Sequence, residues 1–148
     1  MMENKKAIAQ LKIHVQWGDM DALQHVNNTV YLRWVESTRL LLFDQLIDST
    51  VGKAAIGPIL AWQDIKYIAP VVYPDTVHVF FNITALEEDR IQGEAELFSM
   101  KRNRLVALSK NTLMAYDTNA RKKAAIPLHW QEKIEAFYGP SIALKRTR

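Results

Sequence analysis

The sequence predicts an α+β domain in which an antiparallel sheet lies on one side of a long helix. Three observations indicate this class. A strictly alternating stretch lies near the N-terminus, a long stretch with helical periodicity follows it, and four further strand-like stretches precede a short C-terminal helix. Strands that follow one another in this way, instead of alternating with helices, are typical of an antiparallel sheet.

The first strand and the long helix meet at a change of period. Complete alternation over residues 9–17 predicts a half-buried strand. Residues 29–46 predict a helix of about four to five turns, with Asn27 or Asn28 placed to cap it. Its apolar face is so wide that a curved sheet is its simplest cover. These faces comprise Ala9, Leu11, Ile13, Val15 and Trp17 in the strand, and Val30, Tyr31, Trp34, Val35, Thr38, Leu41 and Leu42 in the helix.

The rest of the chain consists mainly of predicted strands. They are expected at residues 58–69, 76–86, 91–100 and 105–116. Pro70 ends the first of them, and a basic turn, KRNR at 101–104, joins the last two. A polar stretch at 117–127 leads to a helix at 128–139 with Pro127 at its start and Gly139 at its end.

The composition excludes several classes of chemistry. The formal charge of +3 is too small to indicate nucleic-acid binding by itself. The sequence contains no cysteine, which excludes disulfides, thiol nucleophiles and Cys-ligated metals. The first twenty residues show no secretion signal, and no stretch reaches the about 18 apolar residues that span a membrane. We therefore expect a soluble cytoplasmic protein.

The junction between strand and helix, WGDMDALQHVNN at residues 17–28, concentrates more polar side chains than turning and capping require. It resembles the junction of hotdog-fold acyl-CoA thioesterases of the 4-hydroxybenzoyl-CoA thioesterase-like family. The segment at 67–79, YIAPVVYPDTVHV, is similar to that family's Tyr-x-x-Pro followed by an aspartate before a strand. The matching residues are WGDMDA at 17–22, HVNN at 25–28, and Tyr31, Trp34, Glu36 and Arg39 in the helix.

The resemblance implies a fold and an activity. It covers about residues 8–128 and implies a single hotdog domain over 1–148, with a five- to six-stranded antiparallel sheet wrapped around a long central helix and a terminal helix at about 128–138. It also implies thioester hydrolysis without a metal or other cofactor, by a homodimer or homotetramer whose active site is shared between two subunits. The catalytic carboxylate of this family is the second aspartate of an Asp-x-Asp pair, here Asp21.

The HVNN motif is also similar to plant acyl-carrier-protein thioesterases. Those proteins carry an asparagine two residues after the catalytic aspartate, and this chain has Leu23 there, so that role is not transferred.

The chemistry of thioester cleavage also favours the junction. A carboxylate must attack the carbonyl carbon or activate a water, and N–H donors must stabilise the developing oxyanion. A helix N-terminus exposes such N–H groups with about half a unit of positive charge. We therefore predict Asp21, His25 and Asn28 as catalytic residues and Asn27 and Thr29 as substrate-binding residues.

Neighbouring polar residues have simpler interpretations. Asp19 is expected to hydrogen-bond within the loop, and Glu36 to pair with Arg33 three residues earlier on the helix. His25 either orients a water or the carboxylate, or bonds the loop backbone. Asp64 is a carboxylate without an assigned role. Four scattered histidines lack the spacing of metal ligands, so no metal is expected.

Nine basic residues fall in three clusters, at 101–104, 121–123 and 145–148. In the first, Lys101, Arg102 and Arg104 are predicted to contact the nucleotide phosphates of coenzyme A, and solvated turns are the alternative for all three clusters. The expected partner is an acyl-CoA substrate, with acyl carrier protein as the alternative thioester carrier. Nucleic acid and membrane are not expected as partners.

Two other functions stay open. A hotdog enoyl-CoA hydratase uses an aspartate and a histidine with four residues between them, whereas Asp21 and His25 have three. A non-catalytic module that binds acyl-CoA or an acyl carrier is the other alternative, and it does not need Asp21. The sequence leaves the acyl chain of the substrate undefined.

Overall fold

The computed structural model describes residues 5–44 and 55–142, and their elements follow the predicted order. The strands are β1 (Ala9–His14), β2 (Ile56–Gln63), β3 (Lys66–Tyr67), β4 (Thr76–Leu86), β5 (Arg90–Ser99), β6 (Arg104–Asp117) and β7 (Lys122–Lys123). The helices are α1 (Asn28–Leu42), between β1 and β2, and α2 (Leu128–Tyr138), after β7. Two 3-10 turns lie at Trp17–Asp19 and Pro140–Ile142.

The sheet is antiparallel throughout, with its long strands in the order β1-β4-β5-β6-β2. Strands β3 and β7, of two residues each, pair with β6 and bring the total to seven. The sheet curls around α1, so the predicted hotdog fold is confirmed. The five long strands agree with the five or six that the resemblance implies, and the two-residue strands β3 and β7 are too short to show a period in the sequence.

The core lies between α1 and the concave face of the sheet. Strand β4 contributes Val77, Val79, Phe81 and Ile83, the alternate residues that the sequence places on its apolar face. The helix buries Tyr31, Trp34, Val35, Thr38, Arg39 and Leu42. The helical period of the sequence predicts most of these buried residues. Their burial fixes the position of the N-terminus of α1 relative to the sheet.

Arg39 is an unexpected member of the core. Its Nη1 donates to Oδ1 of Asn111 on β6 at 2.7 Å and to Oε1 of Gln63 on β2 at 3.5 Å. Two amide oxygens therefore accept from Nη1 of the buried guanidinium, and burial lowers its pKa.

The first strand is shorter than predicted. It ends at His14, and Trp17 starts a 3-10 turn with its side chain 73% exposed, so the prediction that Trp17 belongs to the buried face is wrong. The cause is Asp19, whose Oδ2 accepts a hydrogen bond from the Gln16 N–H at 2.8 Å and turns the chain out of the sheet.

The strand predicted at 58–69 divides into β2 and β3 at Asp64. Oδ1 of Asp64 accepts from the Lys110 N–H at 2.9 Å, and its carbonyl accepts from Oγ of Ser109 at 2.7 Å. Asp64 therefore attaches the chain to β6 at the point where the predicted strand is interrupted.

The predicted end of the long helix at 45–46 and the basic cluster at 145–148 lie outside the described residues. No helix in the described part of the chain is long and apolar enough to span a membrane.

Close packing between β4 and β5 gives a test of the core. A methyl group at Gly93 on β5 would overlap the buried ring of Phe81 on β4, whereas one at Gly57 on β2 would meet no atom within 4 Å. We predict that Gly93→Ala lowers the free energy of unfolding by about 1–3 kcal/mol, the usual cost of overpacking a core. Urea denaturation measures this, with Gly57→Ala as the matched control. Equal stability of the two variants would contradict this packing.

Candidate active site

The loop between β1 and α1 is closed by its own backbone. Met20 and Val26 form an isolated antiparallel bridge. Between them, the Asp21 N–H donates to the His25 carbonyl at 3.1 Å, and the Gln24 N–H donates to the Asp21 carbonyl at 2.9 Å. Gln24 adopts a positive φ of 61° to complete this turn. The turn therefore presents Asp21 at its start.

Further bonds attach the loop to the rest of the fold. The Val26 N–H donates to the Val71 carbonyl at 2.9 Å, and the Val71 N–H donates to the Tyr31 hydroxyl at 3.1 Å. The Asn27 N–H donates to the Asp19 carbonyl at 2.9 Å. The loop, the segment after β3 and the first turn of α1 therefore hold one another in place.

The Asp21 carboxylate is exposed and held at both oxygens. Oδ1 accepts from the Leu23 N–H at 2.9 Å, and Oδ2 accepts from Nδ2 of Asn27 at 3.2 Å. Each oxygen of an ionised carboxylate can accept more than one hydrogen bond. Asp21 is therefore oriented and still able to accept a proton or attack an electrophile.

Asn27 is the N-cap of α1. Its Oδ1 accepts from both the N–H and the Oγ of Thr29, at 2.9 and 2.7 Å, and its carbonyl accepts from the Val30 N–H at 3.0 Å. The Asn28 N–H has no acceptor among the residues that the structure describes. Of the predicted donors in this region, Asn28 therefore has its N–H available, while those of Asn27 and Thr29 are engaged within the chain.

Asp21 lines a cleft of about 540 Å³. Trp17, Met20, Ala22 and Val72 give it apolar walls, and Gln24 adds a second polar group. This volume is in the range of about 300–1,000 Å³ that small-molecule sites occupy. The cleft therefore combines an apolar surface with one oriented carboxylate.

A second cleft has a volume of about 570 Å³. Gln16 and Tyr73 line it, and their chain neighbours Trp17 and Val72 line the Asp21 cleft. Lys101 also lines the second cleft. The turn that carries Lys101 is held by Asp75, whose carboxylate accepts from the Ser99 hydroxyl and the Lys101 N–H. Arg102 on the same turn and Arg104 at the start of β6 are both exposed, but neither lines this cleft.

Three other sequence predictions have different outcomes. Asp19 hydrogen-bonds within the loop, as expected. The ring of His25 is exposed and forms no hydrogen bond with a described residue, so it hydrogen-bonds neither the loop backbone nor the Asp21 carboxylate there. Glu36 is exposed, and no ion pair joins it to Arg33 within the described ranges, so that predicted pair is wrong.

Tyr67 has a role at this junction that the sequence does not predict. Its hydroxyl donates to the carbonyl of Asn28 at 2.8 Å, and its ring packs edge-on against Tyr31 with centroids 5.1 Å apart. Burial raises the pKa of the Tyr67 hydroxyl, which keeps its proton for this bond. The Tyr-x-x-Pro motif marks the residue, but no local pattern links it to a residue 39 positions earlier.

Within residues 5–44 and 55–142, no group of three or more His, Asp or Glu side chains is arranged to hold a metal ion. The junction itself offers a carboxylate at an apolar cleft, which bonds the N-cap residue of α1, and an Asn28 N–H that has no acceptor among the described residues.

Comparison with known families agrees with this fold. A model of the thioesterase-like superfamily matches residues 15–134, which include the whole junction. The chain belongs to the thioesterase-like superfamily. This membership supports thioester hydrolysis, the enzyme class predicted from the sequence. No curated protein matches the chain significantly.

Solved structures show the same fold. The PA2801 protein of Pseudomonas aeruginosa is 28% identical, with a TM-score of 0.74 over 82% of this chain and 94% of that one. YbaW of Escherichia coli, a probable thioesterase, is 25% identical, with a TM-score of 0.74 over 87% and 98%. A Thermus thermophilus thioesterase, complexed with coenzyme A and Zn, is 24% identical, with a TM-score of 0.78 over 90% and 96%.

The bond from Tyr67 to the first turn of α1 can be tested. Tyr67→Phe frees the Asn28 carbonyl, and we predict that kcat for a thioester falls about two- to tenfold, the rate equivalent of one ordinary hydrogen bond. Urea denaturation should show a loss below about 1 kcal/mol, because water can replace a partly exposed donor. Tyr116→Phe is the control, since the Tyr116 hydroxyl bonds no described residue. An unchanged kcat for Tyr67→Phe would contradict this role.

Proposed function

We propose that the protein hydrolyses acyl-CoA thioesters to a free acid and coenzyme A. The observation that carries the proposal is the Asp21 carboxylate, which is joined through Asn27 to the helix end that exposes the Asn28 N–H. The related Thermus thermophilus thioesterase, complexed with coenzyme A, supports coenzyme A as the thiol. Acyl carrier protein is the alternative carrier, and a cytoplasmic location is part of the same hypothesis.

The proposed reaction uses few groups. The thioester oxygen points at the Asn28 N–H, where the positive end of α1 stabilises the oxyanion. In one route Asp21 removes a proton from a water that attacks the carbonyl carbon. The tetrahedral intermediate then expels the coenzyme A thiolate, which takes up that proton. In the other route Asp21 attacks the carbonyl carbon and expels the thiolate, and water hydrolyses the resulting anhydride.

The two clefts fit the two ends of such a substrate. The acyl group is proposed to lie against Trp17, Met20 and Val72 beside Asp21. Because residues next to one another in the chain line the two clefts, the pantetheine arm is proposed to lead from the first along the second towards Lys101 and the basic turn. Lys101, Arg102 and Arg104 are then proposed to bind the nucleotide phosphates.

Asp21→Asn tests which carboxylate acts. The change keeps the size of the side chain and an oxygen that can accept from one of the two donors, Leu23 N–H or Asn27 Nδ2, but it removes the charge, so neither attack nor water activation remains. We predict that kcat falls at least about a hundredfold, with KM nearly unchanged because the binding contacts lie elsewhere. Release of free thiol from acyl-CoA measures turnover. It also separates hydrolysis from hydration of enoyl-CoA and from binding alone.

Three variants serve as controls for Asp21→Asn. Asp19→Asn should act through loop order, and Glu36→Gln should have little effect on an exposed helix face, each with a smaller loss. His25→Ala should fall between these and Asp21→Asn. Near wild-type turnover in a folded Asp21→Asn, or an equal loss in Glu36→Gln, would place the base elsewhere.

The basic turn gives a prediction about substrate binding. Replacing Lys101, Arg102 and Arg104 together by alanine should raise KM for acyl-CoA and leave turnover of a short acyl-pantetheine unchanged, since that substrate lacks the nucleotide. Lys101→Ala alone should account for most of the effect, because it lines the cleft. The matched control is the alanine triple variant at Arg121, Lys122 and Lys123. An unchanged KM in the first variant identifies the turn as a solvated hairpin.

A homodimer or homotetramer is also proposed, and it rests on the free edge of the sheet. Strand β2 ends the strand order, and Ile59, Leu60 and Trp62 on it are exposed. The other edge, β1, exposes Gln10, Lys12 and His14, which discourage pairing. An exposed apolar edge strand is a typical surface for association with a second copy.

Light scattering tests the assembly. At micromolar concentration we expect a mass of two or four times the chain's 17.0 kDa. Leu60→Lys with Trp62→Lys should shift the mass towards the monomer, whereas Leu128→Lys, at an exposed position on α2, should not. A monomeric wild-type protein would contradict this proposal.

A further inference from the structure

We propose that Asn27 is a positioning residue, which sets the orientation of the Asp21 carboxylate by tying it to the N-terminus of α1. This inference rests on the proposed role of Asp21. It gives Asn27 a task that differs both from capping the helix and from contacting the substrate.

The orientation of the Asn27 amide follows from its neighbours. Its oxygen lies between two donors, the N–H and the Oγ of Thr29, at 2.9 and 2.7 Å. With the amide reversed, its NH₂ group would face the Thr29 N–H and its oxygen would face a carboxylate, so the bonds to the Thr29 N–H and to Asp21 would be lost. The Thr29 hydroxyl, which can also accept, would keep one bond at most. The capping bonds therefore oblige Nδ2 to face Asp21, where it donates to Oδ2 at 3.2 Å.

The bond from Asn27 adds a constraint that the loop itself does not supply. The Leu23 N–H holds Oδ1 of Asp21 within the turn. One such bond leaves the carboxylate free to rotate about its Cβ–Cγ bond, and a second bond at Oδ2 stops that rotation. Because Asn28 follows Asn27 directly, one side chain also sets the spacing between the carboxylate and the proposed oxyanion donor. Errors of about 1 Å in such a geometry can cost about a hundredfold in rate.

Substitutions of Asn27 can distinguish the positioning of Asp21 from the capping of α1. Asn, Asp and Ser cap a helix about equally well. Of these three, Asn alone joins an acceptor for the Thr29 N–H to a donor long enough to reach Asp21. An aspartate in place of Asn27 would keep the cap and set a second carboxylate beside the first, while a serine hydroxyl would keep the cap and leave Oδ2 of Asp21 without this donor.

The experiment compares Asn27→Asp and Asn27→Ser with wild type in stability, kcat, KM and the pH dependence of kcat. Urea denaturation should give stabilities close to wild type. We expect kcat to fall about tenfold or more in both variants, with little change in KM. In Asn27→Asp the acid limb of the pH profile should also move to higher pH by about one unit, because neighbouring carboxylates favour protonation of one of them.

A purely structural role predicts a different result. If Asn27 only caps α1, both variants keep the wild-type kcat and acid limb, and that result overturns the inference. Should Asn27→Ser fold poorly, Asn27→Asp decides the question, because aspartate is as good a cap and its charge favours a helix N-terminus.

A double-mutant cycle separates this inference from the proposed function. In an Asp21→Asn background, Asn27→Ser should cause no further loss of kcat, because no carboxylate remains to be oriented. If Asp21→Asn itself keeps wild-type activity, the proposed function fails. If Asp21→Asn is inactive while both Asn27 variants match wild type, the positioning role alone fails.

Discussion

The structure of the site depends on the incomplete capping of α1. Any helix begins with N–H groups that have no partner within the helix. Here the side chain and carbonyl of Asn27 satisfy those of Thr29 and Val30, and the Asn28 N–H remains without an acceptor among the described residues. The same asparagine that stabilises the helix also bonds Asp21. The side chain of Asn27 therefore serves both the capping of α1, which folding requires, and the geometry of the proposed chemistry.

Packing around α1 holds the start of the helix and the Asp21 loop in a fixed position relative to the sheet. Tyr31 is buried, and its hydroxyl holds the Val71 N–H, while Tyr67 reaches the Asn28 carbonyl. Val71 in turn accepts the N–H of Val26 from the junction loop. An exposed carboxylate on a loop is thus connected to the core through two tyrosines and the segment after β3.

The parts of the fold that the sequence predicts correctly are those that depend on local patterns. The strand at Thr76–Leu86 follows from alternation, and the end of α2 at Tyr138 follows from the stop signal of Gly139, because both patterns act over a few residues. The position of Asp21 before the helix also follows from the sequence, together with the family resemblance. The limits of the first strand do not, because Asp19 competes with the sheet for the Gln16 N–H and leaves Trp17 exposed. Strand propensity and alternation do not predict a hydrogen bond between a side chain and the backbone.

The remaining features depend on residues far apart in the chain. Arg39 is buried only because Asn111, 72 residues later, lies opposite it, and Tyr67 meets Asn28 across 39 residues. Asn27 and Asp21 are close in the sequence. The bond between Nδ2 of Asn27 and Oδ2 of Asp21, however, depends on the folded turn of the junction loop, which the sequence pattern does not specify. Sequence patterns therefore indicate the members of the candidate site, and tertiary contacts define their hydrogen-bond partners.

The most direct test is a crystal structure with an acyl-CoA analogue in which a methylene group replaces the thioester sulfur. The account predicts the ketone oxygen within about 3 Å of the Asn28 N–H, the carbonyl carbon facing the Asp21 carboxylate, and the acyl group against Trp17 and Val72. A ketone oxygen bound away from the N-terminus of α1, with no ligand atom near Asp21, would contradict it.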